Sequence, residues 1–578
     1  MQHVTRAWLA LAGLLVATAC NSMQVADNKT KVPVKATSKK AVSHANDSPF
    51  TSATEKLMFQ SLVAEIALQR GELAIAVENY NAVVMATKDA AAAQRAVQIA
   101  MFARNYDAAL AAAKVWVEQE PAQDDARRIL AVLYLRKGDV DKAVATFGTV
   151  LAGKKEDLAD NFYQIGALLR RELDKQVAVN VMERLVKTYP DNAEGAYSLA
   201  ALYMWASEDE KARQQVEVVL KLKPNWPEAV SLKARAMHAT GDTKGATAYL
   251  KAYLQGHEKE AVVRFDYARM LIDGRRFEEA RAQYEILTKQ QPENEEALYA
   301  LGILSMQYKD YKEAENYFTQ LYELGKRTDH AAFYLGEIAD HNKKLDDAIN
   351  WYERVQAGEF RLDAALRAAN VVQRRDGVDA ARERLHLIQV FNPQERREII
   401  LAEGGLLREA KRLQDALQVY SKGLADNKDD TKLLYARALV AERLDKLDMA
   451  EADLKAILAL EPDNAAVLNA LGYTLADRTT RYTEALKYVS RALELQPNDP
   501  AFLDSMGWVQ YRLGNKDKAL EYLKKAIALA NDGEIAAHLG EVLWASGRKD
   551  EATNVWRTAR QNFGDNEILL KVMQRYGQ

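Results

Sequence analysis

The chain has 578 residues, a formal net charge of −3 at pH 7, 48% hydrophobic and 28% charged residues, and one cysteine. These proportions fit a core-forming protein rather than a disordered one. They exclude the basic footprint of a nucleic-acid binder, an internal disulfide framework and any multi-cysteine zinc site.

The first segment reads as an address. Arg6 supplies positive charge, and Ala7 to Val16 form an apolar run too short to span a bilayer comfortably. The run closes as Ala17-Thr18-Ala19-Cys20, which fits both secretory cleavage after Ala-x-Ala and lipoprotein processing at the same bond. It resembles a bacterial lipobox with Ala17 where Leu is commoner. Because the chain's only cysteine directly follows the bond, residues 1–19 are expected to be removed and Cys20 lipidated. Several acyl chains on one residue anchor durably where a single chain does not. Asn21 rather than Asp comes next, which by resemblance to the sorting rule of enteric bacteria implies the outer membrane, periplasmic face. Residues 20–52, rich in Ser, Thr, Asn and Lys, read as a disordered tether reaching roughly 30 Å. Its lysines are expected to form a solvated charge run.

From residue 53 onward one skeleton recurs at about 34 residues. Leu130-Ala131, Gly138, Ala143 and Phe147 carry it early. Leu301-Gly302, Ala314 and Phe318 repeat it, as do Leu335-Gly336, Ala348 and Tyr352. The last copies hold Leu471-Gly472 with Ala485, Met506-Gly507 with Ala519, and Leu539-Gly540 with Ala552 and Trp556. Pro121, Pro190, Pro224, Pro292, Pro393, Pro462 and Pro497 stand at repeat ends, where a residue unable to continue a helix belongs. No strand signal of any strength occurs. The pattern resembles the tetratricopeptide repeat (TPR) family, which implies an all-α superhelical solenoid of about fifteen helix-turn-helix repeats. Small residues such as Gly302 and Ala314 are expected where paired helices cross. Phe318 and Leu321 are expected to face the next repeat, and Asn566 to Tyr576 to cap the open end. The phase is hardest to follow near Gly358, so two arrays are expected, 53–358 and 359–578.

Catalytic chemistry is not legible. The eight histidines are scattered. His330 and His341 share roughly one helical face, but their acidic neighbours read as solvated helix charges rather than as metal ligands. Gly404-Gly405 lies in a helix-like run and reads as a packing position, not a phosphate loop. No stretch is left over for a catalytic domain, so neither enzyme activity nor a cofactor or metal is expected.

The TPR resemblance implies that the first helix of each pair lines a concave groove. It places Tyr163, Tyr197, Tyr299, Phe333 and Tyr435 on that surface, then Tyr473, Trp508 and Glu541, then Trp205, Tyr511 and Trp544. Exposed aromatics in a groove anchor extended peptides or stack on sugars, although rings at these positions also pack against neighbouring helices. The runs DSMGWVQYRLG (Asp504 to Gly514) and AAHLGEVLWASG (Ala536 to Gly547) resemble the closing repeats of the LbcA-type group of proteobacterial TPR lipoproteins. That resemblance implies a lipid-anchored, non-enzymatic adaptor. Its groove would bring a carboxyl-terminal processing protease together with peptidoglycan hydrolases in the periplasm. The alternative is a scaffold for exopolysaccharide export or envelope assembly.

Overall fold

The computed structural model describes residues 52–577 apart from 154, 173 and 565. The expected signal peptide, Cys20 and the expected tether up to residue 51 lie outside the described residues. The described residues form 31 α-helices and the single 3-10 turn Lys155–Asp157, with no strand among them. They pair into successive antiparallel hairpins, the all-α solenoid expected from the repeat. Two compact units divide at Leu324 and Gly325. Gly358, where the sequence phase falters, lies inside the second unit, between the helices Leu345–Glu353 and Arg361–Asp376.

The hairpin of Glu295–Gln307 and Tyr311–Glu323 shows how local sequence builds the unit. The Asn294 side chain caps the first helix by accepting from the Ala297 N–H at 2.9 Å, which satisfies one of its orphan donors. At the turn, the Asp310 N–H donates to the Ser305 carbonyl at 2.8 Å and the Lys309 N–H to Met306 at 3.0 Å. Lys309 itself sits at φ 59. This left-handed closure recurs in the turns at Gly138, Ser207, Arg275, Lys343, Asp445 and Gly514. Asp310 then caps the second helix through the Glu313 N–H.

Small residues set the spacing within each pair. A Cβ on Gly302 would lie 2.6 Å from the Phe318 ring, and one on Gly336 2.7 Å from Tyr352. The bare backbone of the first helix therefore seats the aromatic of the second. Phe318, expected to face the following repeat, is held inside its own hairpin; the ring fills the gap that glycine leaves.

The two helices of a pair are buried differently. In the first helix Pro500–Arg512, every residue from Phe502 to Gln510 is buried. Its partner Lys516–Leu529 buries only Ala519, Leu520, Leu523 and Ala526, one stripe of an amphipathic helix. From Ala193 onward most first helices of successive hairpins within a unit pack against one another, whereas second helices are held further apart; nearer the start of the first unit the second helices Leu73–Thr87 and Tyr106–Gln119, and Val140–Leu151 and Lys175–Thr188, also meet. In a curved stack the more crowded row is the inner one, so the first helices form the concave side of the second unit.

Ion pairs one repeat apart staple neighbouring hairpins of the second unit. Arg374 meets Asp340 at 2.5 Å, Arg361 meets Glu395 at 2.6 Å and Arg478 meets Asp445 at 2.7 Å. The exposed pairs among them contribute little singly, while Arg361–Glu395 is largely buried; the buried apolar faces hold the stack together.

Candidate functional site

Because each first helix is sandwiched between its own partner and the neighbouring first helices, its aromatics are more enclosed than an open groove would leave them. Tyr299 is 5% exposed, Phe333 3% and Trp508 6%, so these three present little surface to a guest. Tyr299 packs edge-on against Phe318. Phe333 stacks on Phe360 at 4.4 Å, with the Arg367 guanidinium over its ring at 5.1 Å. Tyr435 is half-buried, and burial pushes its phenol pKa up. Trp544 lies against Trp556 and Tyr576, with the Lys549 ammonium 5.2 Å from its ring centroid.

In the first unit, Tyr163 is the most open of the predicted aromatics, at 39% exposure. Its ring meets Tyr197 edge-on at 6.3 Å, and Tyr197 lies 4.8 Å from Trp226. Lys223 sits 4.3 Å over the far ring. Trp226, which the sequence reading did not include, immediately precedes the helix Pro227–Ala239 and so falls outside the helical periodicity. Trp205 is half-buried beside the Lys175 ammonium and takes no part in this row.

The second unit concentrates polar groups on the first helices of its last three hairpins, Ala465–Arg478, Pro500–Arg512 and Gly533–Ala545. His538 Nδ1 lies 3.0 and 2.9 Å from the two carboxylate oxygens of Asp504. Both residues are at least nine-tenths buried. Burial alone pulls the imidazole pKa down, but the Asp504 charge and hydrogen bond outweigh it and raise it to about 9. His538 is therefore an imidazolium at neutral pH. The Trp508 indole stacks on it at 4.4 Å and donates its N–H to Asp477 at 3.2 Å. The Tyr473 hydroxyl donates to Glu534 at 3.2 Å. Burial pushes both the Tyr473 phenol and the Glu534 carboxyl up.

Of the predicted aromatics, Tyr473, Trp508 and Tyr511 are thus brought together in one cluster; Tyr511 lies 5.3 Å from Trp508. Glu541 is buried one helical turn further on and accepts from Arg575 at 3.3 Å. The sequence reading missed Asp504, His538 and Glu534. Its available signal was an acid and a histidine one repeat apart inside apolar helices. Next to the cluster opens a pocket of about 340 Å³, whose polar wall includes Asn469, Tyr473, Asp504, Asp532 and Glu534.

Elsewhere the histidines make separate contacts. His330 meets Glu359 at 3.2 Å, while His341 neighbours Asn342. Among the described residues no group of three His, Cys, Asp or Glu side chains is placed to hold a metal ion. No described helix is long and apolar enough to cross a membrane. The arrangement offers the Tyr163 ring and, at the pocket, the Asp532 and Glu534 carboxylates to a guest, with the buried Asp504–His538 pair fixing the helices behind them.

Family models of the tetratricopeptide repeat match residues 95–155, 175–236, 237–303, 307–365, 435–500 and 505–565. The chain belongs to the TPR family. It is 32% identical over 500 residues to the TPR repeat-containing protein PA4667 of Pseudomonas aeruginosa, covering 86% of this chain and 84% of that relative. Cellulose synthase operon protein C of Pseudomonas fluorescens is 26% identical over 372 residues, 52% of this chain but 29% of its own length. Among solved structures, a thermophilic TPR protein of Thermus thermophilus aligns with 31% of this chain and 96% of its own, at 26% identity and a TM-score of 0.29. TPR membership supports a scaffold-type role in protein interaction.

Proposed function

We propose that the chain is a lipid-anchored, non-enzymatic adaptor on the periplasmic face of the outer membrane. Its concave surface would gather a carboxyl-terminal processing protease and peptidoglycan hydrolases. The observation that carries the reading is the inner row of first helices, which gathers Tyr473, Asp504, Trp508, Glu534 and His538 from three successive repeats beside an open pocket. An anchored scaffold that holds two partners turns their encounter into a near-intramolecular event, raising effective concentration toward the millimolar range. Cys20 at the processing motif supports the anchor.

The test uses the full chain and its Cys20→Ser variant, each expressed with labelled palmitate and used as bait in envelope extracts. Label is expected on the wild type alone, with a carboxyl-terminal processing protease and wall hydrolases enriched over a bait-free control. Enrichment of neither class would refute the adaptor reading, and an unlabelled wild type would refute the anchor. A second reading, a scaffold in exopolysaccharide export, is favoured by the similarity to a cellulose synthase operon protein. It instead expects matrix loss in a deletion strain with unchanged hydrolase levels.

A further inference from the structure

The pocket beside the Asp504–His538 pair has an unbalanced charge. Asp504, Asp532 and Glu534 contribute carboxylates to its wall. The neighbouring cation, His538, is engaged by Asp504. Among the described residues no lysine or arginine pairs with Asp532 or Glu534. Other carboxylates of this unit do receive a cation from an adjacent hairpin or the closing helix: Asp340 from Arg374, Glu395 from Arg361, Asp430 from Arg397, Glu541 from Arg575. Tyr473 and Ser505 add hydroxyls and Asn469 an amide, and the rest of the wall is aliphatic, formed by Ala470, Pro500, Ala501, Ala530 and Ile535.

We propose that this pocket receives the cationic side chain of a lysine or arginine carried on an extended segment of a protein partner. The match is one of shape and charge. Both side chains lay an aliphatic stem along apolar surface and present donors at the tip. A pocket of about 340 Å³ holds one long side chain, not a folded element. The tip would meet Glu534 and Asp532. An acidic guest would face the carboxylates of Glu534, which accepts from the Tyr473 hydroxyl, and Asp532, which caps its helix through the Glu534 and Ile535 N–H groups. Charge-assisted hydrogen bonds in such half-buried settings are the stronger ones. The inference rests on the groove being the partner-binding surface, but its test does not require the partner to be known.

Fluorescence anisotropy of the full chain with labelled, end-capped alanine-rich pentapeptides provides that test. The central residue is lysine, arginine, acetyl-lysine or citrulline, the last two being neutral counterparts of the first two. The lysine and arginine peptides are expected to bind saturably, and the neutral ones about tenfold more weakly or worse. Glu534→Gln keeps an acceptor for the Tyr473 hydroxyl and is expected to cause a similar loss. Ala501→Trp, which narrows the pocket without changing charge, should abolish binding, with both variants unfolding at wild-type temperature. Equal binding of charged and neutral peptides, insensitivity to both variants, or no saturable binding would overturn the proposal. If that happens while the extract experiment still enriches protease and hydrolases, this inference fails alone. Peptide binding without such enrichment removes the adaptor reading and leaves the pocket.

Discussion

Asp504→Ala is expected to destabilise the last hairpins by about 3–5 kcal/mol, because it removes the counter-ion and hydrogen-bond partner of the buried His538 imidazole and leaves a void beside it. His538 is 3% exposed, and both oxygens of Asp504 lie within 3.0 Å of its Nδ1. Repeat arrays unfold locally, so the loss should appear as faster amide exchange across the helices Pro500–Arg512 and Gly533–Ala545. The first unit should keep wild-type protection. The pH dependence gives the sign. In the folded chain His538 is raised from 6.5 to about 9. The stability this contributes is complete below pH 6.5 and is lost as pH rises through 9. Asp504→Asn removes the charge while keeping the shape, so that burial pulls the imidazole down against only the weaker pull of the Glu534 and Asp477 charges. Stability of these hairpins should then rise, not fall, as pH climbs from 5 to 7. A variant with wild-type slope would show that the pair is not what sets the histidine.

Trp556→Ala carries the other large effect, about 3–5 kcal/mol for emptying a fully buried aromatic site. Trp556 is 0% exposed, and its indole N–H donates to the Ala537 carbonyl at 3.3 Å. Gly540 has no Cβ, and any Cβ there would overlap the ring. Tyr576 stacks on the same ring at 5.4 Å, so the closing helix Glu567–Arg575 depends on it. Limited proteolysis should release the segment beyond Ser546 from the variant while the rest of the array stays intact. Trp544→Ala, at a half-buried ring, should cost less and leave the closing helix protected. Equal resistance of wild type and Trp556→Ala would contradict the packing described for this end.

The hairpins were legible because their geometry is written in short-range spacing. Gly302 with Phe318, Gly336 with Tyr352 and Gly540 with Trp556 each join a bare backbone to a ring about 16 residues later, and that interval is visible in the sequence. The closing helix was legible for a similar reason: an apolar stripe follows the capping residue Asn566. Burial of the groove aromatics was not. Whether the ring at a given first-helix position faces solvent depends on how tightly the next first helix approaches, and periodicity carries no such distance. Tyr163 stays open while Tyr299 and Phe333 are enclosed, although all three stand at the same repeat position. The Asp504–His538 pair escaped for a related reason. A single acid and a single histidine in apolar helices gain meaning only when the repeats are stacked in register, which sets them side by side.

The central claim is that the first helices face the guest. Photo-crosslinking from single positions in the full chain, with the protease and hydrolases captured from envelope extracts, tests it most directly. A photoreactive residue at Tyr163 or Ala501, on first helices, is expected to trap a partner, whereas one at Lys142 or Lys525, exposed on second helices, is expected to trap none. Crosslinks from the second-helix positions, with Tyr163 and Ala501 silent, would contradict it.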